Sequence, residues 1–186
     1  KKPLKGAVIM IDPGHGGTDP GAIGLLGTLY SENSVVLDYG LKLKTVLEGL
    51  GAEVVMTRSE NAYVSLDSRL MQSRTVLPDL FISSHADSLD DTSDLSKVRG
   101  FTIYYKDQIS KSFADMLQSS IASKHSVVSR GVKNMNFYVV RGTWAPSVLI
   151  ETGFMPNPND FQWLTDSSEQ SKFANTLGES IVNYFK

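Results

Sequence analysis

Two histidines and two glutamates stand where a folded chain could gather them into one chemical centre. His15 lies inside "IDPGHGG" after an apolar run, His85 inside "SSHAD" after another, Glu151 ends "SVLIE", and Glu32 opens a long helical segment. Imidazole and carboxylate are both zinc ligands. A catalytic zinc site usually takes three such protein ligands and keeps one position for water, while a separate carboxylate removes the proton from that water. His15, His85, Glu32 and Glu151 together meet that requirement. The glycines of "PGHGG" let the backbone turn tightly and leave room for substrate beside a metal.

Each residue also has a plainer reading. A lone histidine after a strand is more often a hydrogen-bonded loop residue, but two at strand ends, one of them flanked by glycines, favour ligation. Glu32 alone reads as a first-turn glutamate that suits a helix N-terminus. A carboxylate directly after "SVLI" is partly buried and needs a partner. Asp12 either orients a ligand histidine or opens a turn before Pro13. His125 ends a helix, where a cation is favoured. "GHGGTDPG" lacks both the glycine order and the lysine of a phosphate loop.

These residues need a scaffold that brings strand ends together. Short apolar runs alternate with segments of helical period, which predicts a single α/β domain over residues 1–186: a mostly parallel mixed sheet of about six strands with helices on both faces. The expected strands are "AVIMI", "AEVVMT", "DLFISS", "GFTIYY", "FYVV" and "SVLIE". A helix is expected from the N-cap Ser31 to Gly51 with Val35, Leu37, Leu41, Leu43 and Leu47 turned inward. Others cover "SLDSRLMQSRTV", "SKSFADMLQSSIASKH" and "EQSKFANTLGESIVNYF", the last on Phe173, Leu177, Ile181 and Tyr184. "DSLDDTSDLSK" and "MPNPND" read as surface loops. In such a sheet ligands bind beyond the carboxyl ends of the strands, which is where His15, His85 and Glu151 fall.

Composition narrows the chemistry. The 186 residues carry 18 basic and 20 acidic side chains, a net charge of −2 that argues against electrostatic binding of nucleic acid or of an anionic membrane. There is no cysteine, so disulfides, thiolate metal sites and a cysteine nucleophile are all excluded. No stretch is apolar for long enough to span a membrane. The start "KKPLKG" has no apolar signal core, which is expected of a cytosolic protein, a processed chain or an excised domain.

Taken together, "IDPGHGGTDPGAIG", Glu32 and its helix, "MTR" followed by "SLDSR", "PDLFISSHAD" and "GVKNMNFYVVRGTWAPSVLIETGFMPN" resemble the zinc-dependent N-acetylmuramoyl-L-alanine amidases of bacterial cell walls. The order His, Glu, His, Glu is that family's own. The resemblance implies that His15, Glu32 and His85 bind Zn²⁺ and that Glu151 is the catalytic carboxylate. It implies hydrolysis of the amide between N-acetylmuramic acid and L-alanine in peptidoglycan, by a secreted, wall-located monomer whose full protein carries a wall-binding module. "SEN" lacks the lysine that often follows the family's glutamate, and "SRTVLPDLF" lacks its Ala-Asn, yet no ligand is lost. Where some relatives carry a long covering insertion, this chain has only "KDQI", which predicts an open site. A zinc peptidase acting on free peptides and an inactive wall-binding module are the competing readings, and retention of all four residues argues against the second.

Overall fold

The computed structural model describes residues 2–88, 94, 97–142 and 144–186. Its centre is a six-stranded sheet built from β1 (Val8–Pro13), β4 (Glu53–Met56), β5 (Leu80–Asp87), β6 (Phe101–Tyr105), β7 (Ser129–Asn134) and β8 (Ser147–Phe154). Their order is β4-β1-β5-β8-β6-β7. The first four in that order run parallel, whereas β6 is antiparallel to β8 and parallel to β7. A small hairpin of β2 (Ile23–Gly24) and β3 (Gly27–Ser31) stands outside the sheet.

Period-two alternation divides each apolar strand between two cores. Ile9, Ile11, Leu80, Ile82, Val148 and Ile150 face the larger core, which α1 (Glu32–Gly49), α3 (Lys111–Lys124), α4 (Pro158–Thr165) and α5 (Ser167–Tyr184) supply from one side. Met10, Phe81 and Leu149 face the other way and meet Val139, Val140 and the end of α2 (Leu66–Val76). On α1 the buried stripe is Val35, Val36, Tyr39, Leu43 and Leu47. Leu41 instead lies exposed and Leu37 only half-buried, because the inward stripe passes through Tyr39 and Gly40.

Three expected elements differ. "FYVV" is not a strand, since Tyr138–Val140 form a short 3₁₀ turn whose valines fill the smaller core. An apolar run of four declares burial but not conformation. The sixth strand is β7, "SRGVKN", a polar edge strand with Gly131 at φ 82°. "MPNPND" is more than a loop: Asn157 caps α4 by accepting hydrogen bonds from the backbone N–H groups of Asn159 and Asp160, with Pro158 at the first helical position. Most of "DSLDDTSDLSK" lies outside the described residues.

Among the described residues no helix is long and apolar enough to cross a membrane. The carboxyl ends of β1, β5 and β8 open onto one edge, and His85 and Glu151 are direct partners across β5 and β8.

Candidate active site

At that edge β1 ends in a loop whose backbone is unusual. His15 has φ 57°, and Gly16 and Gly17 follow at φ 123° and 60°. A non-glycine residue in this region is strained and persists only where its surroundings over-determine it. Two other glycines are required by close approach. A Cβ at Gly14 would stand 2.3 Å from the His85 ring, and one at Gly21 would stand 2.5 Å from a Glu32 carboxylate oxygen. Side chains at either position would expel a candidate ligand.

The cluster closes on Glu32, which is 4% exposed at the start of α1. Its Oε1 lies 3.0 Å from His15 Nε2 and 2.9 Å from His85 Nδ1, and accepts the backbone N–H of Ala86 at 3.0 Å. Its Oε2 accepts the N–H of Ala22 at 2.9 Å. One donor atom from each of His15, Glu32 and His85 falls within 4.8 Å of the others. Burial opposes ionisation of Glu32, but the hydrogen bonds and charges of the two imidazoles outweigh it and hold the carboxyl far below its ordinary range.

Asp19 was not among the expected site residues. Its Oδ2 lies 2.8 Å from His15 Nδ1, while its Oδ1 accepts the N–H of Gly21. Holding Nδ1 leaves Nε2 facing the cluster, the usual arrangement of a carboxylate behind a ligating histidine. Burial disfavours charge on the His15 ring, yet Glu32 and Asp19 raise its pKa above the ordinary value. Asp12 has a different task from either expected one. Fully buried, it accepts hydrogen bonds from Thr57 Oγ1, Arg69 Nη1 and Ser83 Oγ, all at 2.7 Å, and touches neither histidine.

Glu151 projects beside this group from β8. Its Oε2 is buried without a hydrogen-bond partner among the described residues. Burial, then Asp87 and Glu32, push its carboxyl well above the usual range. The end of β8 is held from α4, where Trp163 Nε1 donates to Thr152 O at 2.9 Å and Asp160 Oδ2 accepts the N–H groups of Phe154 and Gly100. His15, His85 and Glu151 line one cavity of about 410 Å³ whose walls include Tyr63, Phe137 and Tyr138. A larger hollow of about 540 Å³ beside Trp163, Glu169 and Lys172 gathers none of the four residues. Chemistry, rather than size, selects the first.

Two imidazoles and a carboxylate converging from three elements, beside an orphaned buried carboxyl surrounded by anions, fit a divalent cation. The donors are the nitrogen and oxygen ligands zinc accepts, and a cation is the charge Glu151 lacks. The fold and site thus define a single α/β domain with a His-Glu-His cluster of metal-ligating type at the carboxyl edge of its sheet. The chain belongs to the N-acetylmuramoyl-L-alanine amidase family, Amidase_3, whose sequence model matches residues 9–183.

It is 37% identical over 98% of its length to the probable cell wall amidase LytH of Staphylococcus epidermidis, of which it covers 60%. It is 36% identical over its whole length to N-acetylmuramoyl-L-alanine amidase LytC of Bacillus subtilis, covering 37% of that protein. The chain therefore spans less than two thirds of either relative's own length. Among solved structures, N-acetylmuramoyl-L-alanine amidase AmiC2 of Nostoc punctiforme superposes with TM-score 0.88 at 32% identity, over 96% of each chain.

Proposed function

We propose that residues 1–186 are a zinc-dependent catalytic domain that hydrolyses the amide joining N-acetylmuramic acid to L-alanine in peptidoglycan, acting as a monomer at the bacterial cell wall outside the cell. The observation that carries this reading is the convergence of His15, Glu32 and His85 next to the orphaned carboxyl of Glu151. His15, Glu32 and His85 would hold the metal. Zinc bound there supplies a Lewis acid for the substrate carbonyl and makes a nearby water acidic enough to attack near neutral pH.

Glu151 takes one proton from the attacking water and delivers it to the departing nitrogen. The C–N bond breaks, the water oxygen stays on the lactyl carbon as a carboxylate, and the stem peptide leaves with the amino group of its L-alanine free. Burial and the nearby carboxylates of Asp87 and Glu32 raise the Glu151 pKa, and a cation held by His15, Glu32 and His85 would oppose that shift, so the carboxylate can accept the proton first and release it to nitrogen afterwards. Asp19 keeps the His15 ring turned toward the cluster, and the Thr152 and Phe154 anchors keep Glu151 on its side of the cavity. The near-neutral charge supports weak intrinsic affinity for anionic wall polymers, so wall targeting is assigned to another part of the full protein.

The test is release of stem peptide from purified peptidoglycan, run with metal analysis on the same sample. One zinc per chain, loss of release on chelation and recovery with added zinc are expected. Cleavage of ordinary peptides but not of muramyl-peptides would overturn the substrate assignment, and full activity in verified metal-free protein would overturn the metal.

A further inference from the structure

The strained loop that carries His15 leaves three consecutive carbonyls, those of Pro13, Gly14 and His15, at and just past the end of β1. Acceptors enclosed in a protein must find donors or lose the free energy of their hydration. Here the donors are two guanidinium groups. Arg58, 4% exposed, gives Nε to Pro13 O at 3.0 Å and Nη2 to both Gly14 O and Asn33 O at 2.7 Å. Arg69, 2% exposed, gives Nη1 to Pro13 O and Nη2 to His15 O, both at 2.6 Å, and Nε to Val64 O at 3.0 Å. These are the arginines of "MTR" and "SLDSR".

We propose that Arg58 and Arg69 are positioning residues that clamp the His15 loop in its ligating conformation and fix its distance from Glu32 before any metal is bound. The proposal rests on the reading of His15 and Glu32 as metal ligands. Three observations carry it. First, the contacts fall on the backbone on both sides of the strained residue, which is how a left-handed φ at a non-glycine position is over-determined. Second, Arg58 Nη2 bridges two different elements, touching Gly14 next to His15 and Asn33 next to Glu32. One guanidinium thus ties together the backbones of two donors.

Third, the glycines of the loop are matched to the clamp. A Cβ at Gly16 would meet Ala62 O at 2.2 Å and the Arg58 side chain at 3.0 Å, so the loop lies directly against the arginine. Charge is consistent as well. Among the described residues the single carboxylate in direct contact with either guanidinium is Asp12, on Arg69, so Arg58 and Arg69 together leave an excess positive charge behind a centre rich in carboxylates. Burial and the neighbouring Arg69 lower Arg58 to about 10, still cationic at neutral pH. Lysine could keep the charge but not the fork, because an ammonium cannot span two carbonyls on different elements in fixed geometry.

The experiment uses Arg58→Lys and Arg69→Lys in the full chain, with zinc affinity measured by competition against a chromophoric chelator. A core variant, Phe113→Leu or Ile121→Ala, is chosen to match their loss in Tm. Removing outer support from a metal site typically weakens binding by roughly 10–100-fold, and that fall is expected for both arginine variants. The matched core variant should keep its affinity within about twofold. Equal loss in the core variant, or unchanged affinity in the arginine variants, would overturn the clamp.

A second measurement uses the wild type alone and so decides the matter even where a variant does not fold. Hydrogen exchange in metal-free protein should show protected amides at Gly14 and Gly16, which donate to Ser84 O and Asp19 O. Free exchange there, with protection only after zinc is added, would show that the metal and not the arginines orders the loop. Wild type that binds no zinc yet keeps these amides protected would refute the ligand reading and leave the clamp standing.

Discussion

Two histidines withdrawn from solvent, His15 and His125, sit in surroundings of opposite character. His15 lies between the carboxylates of Glu32 and Asp19, and despite partial burial its pKa is raised. His125 caps the end of α3, 6% exposed, with its ring edge-on to Trp163 at 5.1 Å and Phe173 at 5.8 Å. Its Nε2 is 2.9 Å from Thr176 Oγ1, and its Nδ1, without a hydrogen-bond partner among the described residues, stands 3.8 Å from Glu169 Oε2. Burial, reinforced by Lys172, lowers its pKa. The expectation of a favourable cation at this helix end therefore fails, because removal from water outweighs the attraction of the helix terminus. Burial acts alike on both rings. Carboxylates within hydrogen-bond reach are what make one of them a candidate ligand.

That contrast is most severely tested by removing the rings. His15→Ala, like Glu32→Ala and His85→Ala, should abolish hydrolysis and most zinc occupancy, since each removes one of only three protein ligands. His125→Ala should lower stability by about 0.5–3 kcal/mol and leave zinc stoichiometry unchanged. Metal analysis and thermal melts on the same preparations separate the two. Zinc loss from the His125 variant would erase the distinction.

The next largest effect lies at Glu151, whose Oε2 has no hydrogen-bond partner among the described residues. Glu151→Gln preserves volume but cannot accept a proton, so turnover should fall by roughly 10²–10⁴-fold while zinc remains bound. Loss of zinc as complete as in the histidine variants would make Glu151 a ligand instead. Asp19→Asn is milder. It retains a hydrogen-bonding group beside His15 Nδ1 and removes the charge, and zinc affinity should weaken by about 10–100-fold in a competition titration. An unchanged affinity would mean that the backbone alone orients His15.

Legibility of these residues from sequence followed a physical rule. Glu151 comes directly after an apolar run, and His85 and His15 follow theirs with two and three residues between, so polar residues near the carboxyl ends of strands are visible in the text although β8 itself runs on to Phe154. Asp19 obeys no such pattern. Its only signal was its place four residues after His15 in a glycine-rich loop, and a loop has no period to say which side chains turn back. Asp12 offers two readings in the sequence and fulfils neither, because its partners Thr57, Arg69 and Ser83 come from three distant segments. β7 carries no apolar run because an edge strand can be polar, and "FYVV" reads as a strand because an apolar run marks burial, which Val139 and Val140 reach without a sheet.

The smallest predicted effect sharpens the contrast by pH. His125 has a folded pKa below its ordinary value of 6.5. Above 6.5 the ring is neutral in both states, and its contribution to stability is complete. As pH falls through 6.5 the unfolded chain takes up a proton that the folded chain refuses, so stability declines until the folded pKa is reached and then levels off. Each unit between the two values corresponds to about 1.4 kcal/mol. The groups that face the ring are Glu169, which opposes the shift, and Lys172 and Lys124, which reinforce it. His15, whose pKa moves the other way, contributes with opposite sign, so raw melting curves mix the two. Subtracting the pH profile of His125→Gln from that of the wild type cancels the groups that do not interact with the ring and leaves His125 with its coupling to Glu169, Lys172 and Lys124. The difference should shrink progressively below pH 6.5. A flat difference, or one that grows on acidification, would mean that His125 is charged in the folded protein and that its aromatic surroundings do not exclude the proton.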